Sequence, residues 1–257
     1  MLLSNKNIRI LFCLAICASW IPEPGLQAQP SQFIYQGSIE FERKINLWAQ
    51  MKDWDDGWSD FAKKTTPNFK TSYFNLEFTG TKTLYSPGRE NPDNNRNQGW
   101  INDPADDNTI YTDIQKQQVV ARKRVFEQTF LIQDSSRRIR WKITDETRTI
   151  AGFLCRRANA IIMDSIYVVA FYTDEITCTG GPESFLGLPG MILGVALPHQ
   201  HITWFATRVD ISPVPGTKIQ PPQKGKKTNY SGLKAALNES LKDWGKYANK
   251  YIVSIMM

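Results

Sequence analysis

Residues 138–173 read RIRWKITDETRTIAGFLCRRANAIIMDSIYVVAFYT, and this stretch decides the fold. Ile139, Trp141 and Ile143 alternate with Arg138, Arg140 and Lys142, the period-two pattern of a strand with one apolar and one solvated face. Thr149 to Ala160 continues in β-favouring residues, Met163-Asp164-Ser165 supplies a turn, and Ile166 to Thr173 is a further strand. Sequential strands joined by short turns predict an antiparallel meander rather than βαβ units.

The pattern extends towards the N-terminus. Residues 119–132, VVARKRVFEQTFLI, are β-favouring, with Arg122 and Arg124 on one face and Lys123 on the other. Ile110, Thr112 and Ile114 alternate before them, and Asp134-Ser135-Ser136 marks a turn after them. In residues 33–48, FIYQGSIEFERKINLW, one strand face collects Ile39, Phe41, Arg43, Ile45 and Leu47; Arg43 is the single interruption of an apolar row. Phe74, Leu76 and Phe78 alternate with polar partners, and Thr79-Gly80-Thr81 turns the chain back through Tyr85, a hairpin signal. Residues 86–108 are polar and rich in Pro, Asn and Asp, and predict a long surface loop with Trp100 placed to pin it. Trp54, Trp58 and Phe61 recur at helical spacing within 50–66, a short amphipathic helix that packs on the core or serves as a lid or membrane-facing flap.

Towards the C-terminus, GGPESFLGLPG at 180–190 is a run of bends. MILGVAL at 191–197 and Ile202 to Val209 form a strand pair around Pro198-His199-Gln200. Residues 212–230 hold Pro213, Pro215, Pro221 and Pro222 with Lys218, Lys224, Lys226 and Lys227, a basic, extended connector. Ser231 is a candidate N-cap, and Leu233, Leu237, Leu241, Trp244, Ala248 and Tyr251 form the apolar stripe of a C-terminal helix over 231–257. The expected fold is mainly β (α+β): a curved antiparallel sheet or half-barrel over 29–211, a short helix near 50–66, the 212–230 connector and the C-terminal helix docked on the sheet.

The first residues belong to targeting. Lys6 and Arg9 precede the apolar run Ile10 to Trp20, Pro22 and Pro24 close it, and Ala28 offers a small residue at a cut before Gln29. That order reads as a cleaved secretory signal over 1–28, and past it no run is long enough for a transmembrane helix. The 257 residues carry a formal charge of +6 with 41% hydrophobic and 22% charged residues, an ordinary globular composition. The mild basic excess favours anionic neighbours such as lipid headgroups; no nucleic-acid-binding signature accompanies it. Cys13 and Cys17 leave with the signal, and Cys155 and Cys178 remain as an even pair in an oxidising compartment, the expected disulfide.

Catalytic and metal signatures are sparse. There is no G-x-S-x-G, P-loop or Rossmann fingerprint. Asp145-Glu146 and Asp174-Glu175 are neighbours that point to opposite strand faces. His199 and His201 are the only histidines, without a cysteine or acidic cluster beside them, so neither a metal nor another cofactor is expected.

The segment Gly187-Leu188-Pro189-Gly190-Met191-Ile192 resembles the hexapeptide of the GLPGLI family of exported bacterial proteins. The similarity extends over Trp141 to Thr147, Thr149 to Phe153, Cys155 to Ala158, Ala170 to Ile176 and Gly181 to Phe185, and over the Phe74–Tyr85 hairpin. Met191 stands where that name has leucine, Phe171 where tryptophan is common and Asp174 where proline is common. The resemblance implies export into the envelope of a Gram-negative bacterium, to the periplasm or a neighbouring location, a β-rich body and no assigned enzymatic chemistry. Such a body is similar in architecture to the half-barrels of periplasmic lipoprotein carriers. Within the hexapeptide, Pro189-Gly190 suits the centre of a type II turn, which either aims a strand or brings backbone to a ligand. The expectation is a non-enzymatic envelope protein that binds a lipid, a lipoprotein or an envelope partner on an apolar face including Phe74, Leu76, Phe78, Ile139, Trp141 and Ile143. The alternatives are a purely structural accessory protein and an unrecognised hydrolase.

Overall fold

A computed structural model describes residues 33–52, 63–64, 66–95 and 103–257. The expected signal over 1–28, Trp100 and most of the helix expected near 50–66 lie outside them. Among the described residues twelve strands make one sheet: β1 (Gln36–Asn46), β2 (Phe69–Thr79), β3 (Lys82–Pro87), β4 (Thr109–Asp113), β5 (Gln118–Val125), β6 (Gln128–Ser135), β7 (Lys142–Ile150), β8 (Phe153–Ile162), β9 (Ile166–Thr173), β10 (Met191–Leu197), β11 (Ile202–Asp210) and β12 (Lys226–Thr228). Their order is β12-β6-β5-β4-β3-β2-β1-β11-β10-β9-β8-β7. The chain meanders outward from β1 to β6, crosses to the far edge at β7, and meanders back until β11 lies antiparallel beside β1. The long β-favouring run at 119–132 is two strands, because Phe126 takes φ +53° and turns the chain there.

That crossing explains the curvature. Strands β6 and β7 lie ten spacings apart in the sheet, about 48 Å if it were flat. Residues 136–141 join them, and an extended segment of that length spans about 25 Å. The sheet must curl until its two halves approach.

Cross-strand registers identify the inner face. One row runs Ile132–Ala121–Ile110–Tyr85–Leu76–Ile39, every member completely buried. A second runs Ser72–Arg43–Trp204–Val195–Ala170–Ala158. The inner face is covered by the chain itself. Residues Gln32–Met257 form one compact unit, and Leu233, Leu237, Leu241, Ile252, Ile255 and Met256 join the same core as the strands.

The C-terminal helix is not continuous. It divides into α2 (Tyr230–Ser240) and α3 (Lys246–Met256), separated by a 3₁₀ turn at Lys242–Trp244 and by Gly245 at φ +55°; α1 is the short Leu47–Gln50 turn. Asn229, not Ser231, caps α2, its Oδ1 accepting from Gly232 N at 2.8 Å, because Asn229 holds the extended conformation a cap requires. The basic connector is partly structured: Ile219 is buried, Lys218 pairs with Glu77, and β12 runs parallel to β6.

Cys155 and Cys178, expected as a bridge, are both free and buried. The β8–β9 register pairs Arg157 with Phe171, so Cys155, two residues earlier, shares the Phe171 face. That face is covered by β7, whose Arg148 guanidinium lies over the rings of Phe205 and Phe171 at 4.7 and 5.8 Å. Cys178 lies beside Gly180, where a methyl would stand 2.8 Å from Thr83 Cγ2 and 3.8 Å from Cys178 Sγ. Each thiol packs within the apolar core instead. Burial pushes both thiols up to about 12. Iodoacetamide at pH 8 is expected to leave both unmodified in the native protein and to modify both after denaturation without reductant, read by peptide mass spectrometry.

Candidate functional site

Strand alternation carries Arg43 to the inner face of β1, where a cation of 1% exposure must find partners. They arrive from the far end of the expected surface loop. Pro104–Asp107 forms a 3₁₀ turn in which Asp103 Oδ1 accepts from Ala105 N. Arg43 donates to Asp103 Oδ2 at 2.9 Å and to Asp106 Oδ1 at 3.3 Å. Lys70, two strand positions from Ser72 on β2, pairs with Asp106, and Ser72 Oγ donates to Asp106 Oδ1 at 3.0 Å. Ser254 Oγ, on α3, donates to Asp103 Oδ1 at 2.9 Å. The loop end is thus drawn inside by charge.

Burial opposes ionisation of Asp103, yet Arg43, the Ala105 N–H and Lys70 together hold its carboxyl below the usual range. For Arg43, burial opposes the charge, and Asp103, Asp106 and Glu183 outweigh it and raise its pKa.

A second buried group lies deeper under the helices. Lys123 projects inward from β5, opposite Phe130, and donates to Ile255 O at 2.8 Å. Burial lowers its pKa to about 8, against the attraction of Glu183. Burial raises Glu183, which Lys123, Arg43 and the Asn108 amide (2.9 Å) only partly offset. Arg137 donates to Met256 O at 2.7 Å, and Ser184 Oγ to Met257 O. With the Ser254–Asp103 bond, residues 254–257 are therefore held by four polar side chains, one from β5 and three from connecting segments. Arg43 Nε, Tyr85 Oη, Trp204 Nε1 and Glu183 Oε1 are buried without a hydrogen-bond partner among the described residues.

The Gly187–Gly190 segment positions this second group. Gly190 N donates to Leu188 O at 2.8 Å, a three-residue turn about Pro189 rather than the type II turn expected, because Met191 N is committed to Ile176 O at 3.1 Å. Trp141 Nε1 donates to Leu186 O at 2.9 Å and holds the bend from outside. Leu188 and Phe185 enter the core, Phe185 edge-on to Trp204 at 6.0 Å. The turn thereby delivers Glu183, Ser184 and Phe185 to the inner face.

The six residues of the expected apolar face are not together. Phe74, Leu76 and Phe78 are completely buried on the inner face of β2. Ile139 and Trp141 lie in the crossing segment, partly buried against the core. Ile143 is on edge strand β7, 38% exposed. They separate because residues 138–141 form the crossing segment, not the strand that their alternation suggested. His199 and His201 sit in the β10–β11 turn, and no cluster of three potential metal ligands occurs among the described residues. No helix among the described residues is long and apolar enough to cross a membrane. The sequence reading missed Lys70, Asp103, Asp106, Asn108 and Glu183; its one signal was the arginine in an otherwise apolar row.

A family model described as "Protein of unknown function (Porph_ging)" matches residues 161–194, from the end of β8 into β10 and through the Gly187–Gly190 turn. No curated protein matches. Among solved structures, PNGF-II in a C2 crystal form is similar with TM-score 0.51 and 14% identity, over 78% of this chain and 32% of that one. PNGF-II in a P21 form gives TM-score 0.51 and 15% identity, over 79% and 33%. The chain spans about a third of the length of PNGF-II, and at this identity the likeness is one of fold.

Proposed function

We propose that this is an exported, non-enzymatic envelope protein, of the kind the GLPGLI resemblance implies, whose curved sheet is a scaffold for an envelope partner rather than a carrier of lipid. The observation that supports this reading is the occupied inner face. Phe41, Phe74, Leu76 and Phe78 are completely buried within the protein's own core, and residues 254–257 are tied down by Lys123, Arg137, Ser184 and Asp103. An acyl chain would have to displace apolar contacts and these hydrogen bonds together. The non-enzymatic part rests on the engagement of the inner carboxylates: Asp103 and Asp106 are each held by cations.

The test is a lipid extract of the purified protein, read by mass spectrometry, with titration of a fluorescent fatty acid. Absence of stoichiometric lipid and of saturable fatty-acid binding is expected. A bound lipid, or saturable binding that strengthens when Lys123→Met loosens the C-terminal segment, would replace the scaffold reading with a carrier whose helices open.

A further inference from the structure

The basic residues of β5 and of the proline-rich connector are a hundred positions apart in sequence, and the fold brings them together. Arg122 and Arg124 flank the inward Lys123 and project from the opposite, outer face. The connector reaches this face because β12 pairs with β6, Lys226 opposite Phe130 and Lys227 opposite Leu131. Gly225 permits the close approach: it holds φ +137°, and a methyl there would stand 2.8 Å from Leu131 N and 2.9 Å from Phe130 C. Lys224 is thereby set at the rim of a cleft of about 320 Å³ lined by Asp107, Arg122, Arg124, Thr129, Lys224 and Gly225.

The lining carries three cations and one carboxylate, with Lys226 and Lys227 exposed alongside. Asp107 pairs with Arg124 at 2.5 Å, both half-exposed, and Arg122 donates to Thr109 Oγ1 at 3.1 Å. These contacts aim the guanidinium groups without consuming all their donors. Two guanidinium forks, an ammonium and a hydroxyl on one concave wall suit a tetrahedral oxyanion, which accepts several charge-assisted hydrogen bonds at once. We infer that this cleft binds a phosphate or sulfate group, carried by a soluble polyanion or by an anionic lipid headgroup. The inference is independent of whether the inner face is closed.

The test is calorimetric titration of the full chain with inorganic pyrophosphate at low salt, with co-sedimentation on vesicles of phosphatidylglycerol against phosphatidylcholine. Saturable binding is expected to one of these anions, falling at least tenfold in Arg122→Gln/Arg124→Gln and unchanged in Lys242→Gln, an exposed lysine elsewhere. It should weaken as salt rises. Pyrophosphate binding alone assigns a soluble phosphate; binding to phosphatidylglycerol alone assigns the headgroup; either supports the site. No binding of either probe, or equal binding by the double variant and the parent, overturns it. Should the double variant fail to fold, Lys224→Gln, a change at an exposed lining residue, must lower the affinity.

Discussion

Gly190→Val is expected to yield no folded protein. Gly190 holds φ +146°, a conformation that residues with a Cβ rarely adopt, and a Cβ there would fall 2.0 Å from Thr173 O and 2.7 Å from its carbonyl carbon. The obstruction is β9 backbone, not a side chain that can rotate away, and Met191 is hydrogen-bonded to the neighbouring Ile176 O. Relief would require peeling β10 from β9 in the middle of the sheet, a loss of at least about 4 kcal/mol. Against a net stability of about 5–15 kcal/mol that is decisive or nearly so. Insoluble expression, or a urea midpoint lowered by more than half, checks it. Gly152→Ala is the matched control: it also has positive φ, +89°, but open space around it, and should cost about 1–2 kcal/mol. A Gly190→Val protein as stable as the Gly152→Ala one would show that the turn is not held as described.

The second large effect is expected from Arg43→Met. The substitution keeps the volume of the aliphatic stem and removes the cation that Asp103 and Asp106 face. Asp106 retains its ion pair with Lys70, whereas Asp103 loses its ion-pair partner and keeps the neutral donors Ala105 and Ser254 with the more distant attraction of Lys70. Stranding a buried charge in this way costs about 3–5 kcal/mol. Arg43→Met/Asp103→Leu should recover part of the loss, which a double-mutant cycle measures. The pH dependence has a definite sign. Because the folded state holds the Asp103 carboxyl below its ordinary value of 3.8, its contribution is fully present above that value. It is lost as pH falls through the lowered folded value, where the native state must take up a proton. Urea midpoints measured from neutrality into that acid range should fall for the parent and fall less for Arg43→Met.

Much of the fold was readable in one dimension, and the reasons are local. Alternation is written residue by residue, so β1, the β2–β3 hairpin, β8, β9 and the β10–β11 pair are visible without knowing their neighbours. Turn chemistry is similarly local, and Gly80 and the Met163–Ser165 bend lie where expected. Local pattern misled where it had two physical outcomes. Ile139 and Trp141 alternate as in a strand, yet they belong to the segment that crosses from β6 to the far edge strand β7. The apolar stripe after residue 231 is helical on both sides of Gly245, but one left-handed residue divides it.

The candidate site was almost invisible. Arg43 stood out as a charge in an apolar row, which says that a partner must exist and not which one. Asp103 and Asp106 lie about sixty positions away in a stretch whose polarity argued for solvent. Lys123 finds a main-chain carbonyl near the other end of the chain. The same holds for the outer cleft, where Arg122 and Lys224 share a wall only because β12 adds to β6. Strand propensity, periodicity and turns depend on contacts within a few residues, and the primary structure alone specifies them. Which charge meets which and what fills the curve depend on pairing strands distant in the chain, and on curling the sheet enough for six residues to join β6 to β7. Those outcomes belong to the folded chain, because desolvation and ion pairing act on distance in space.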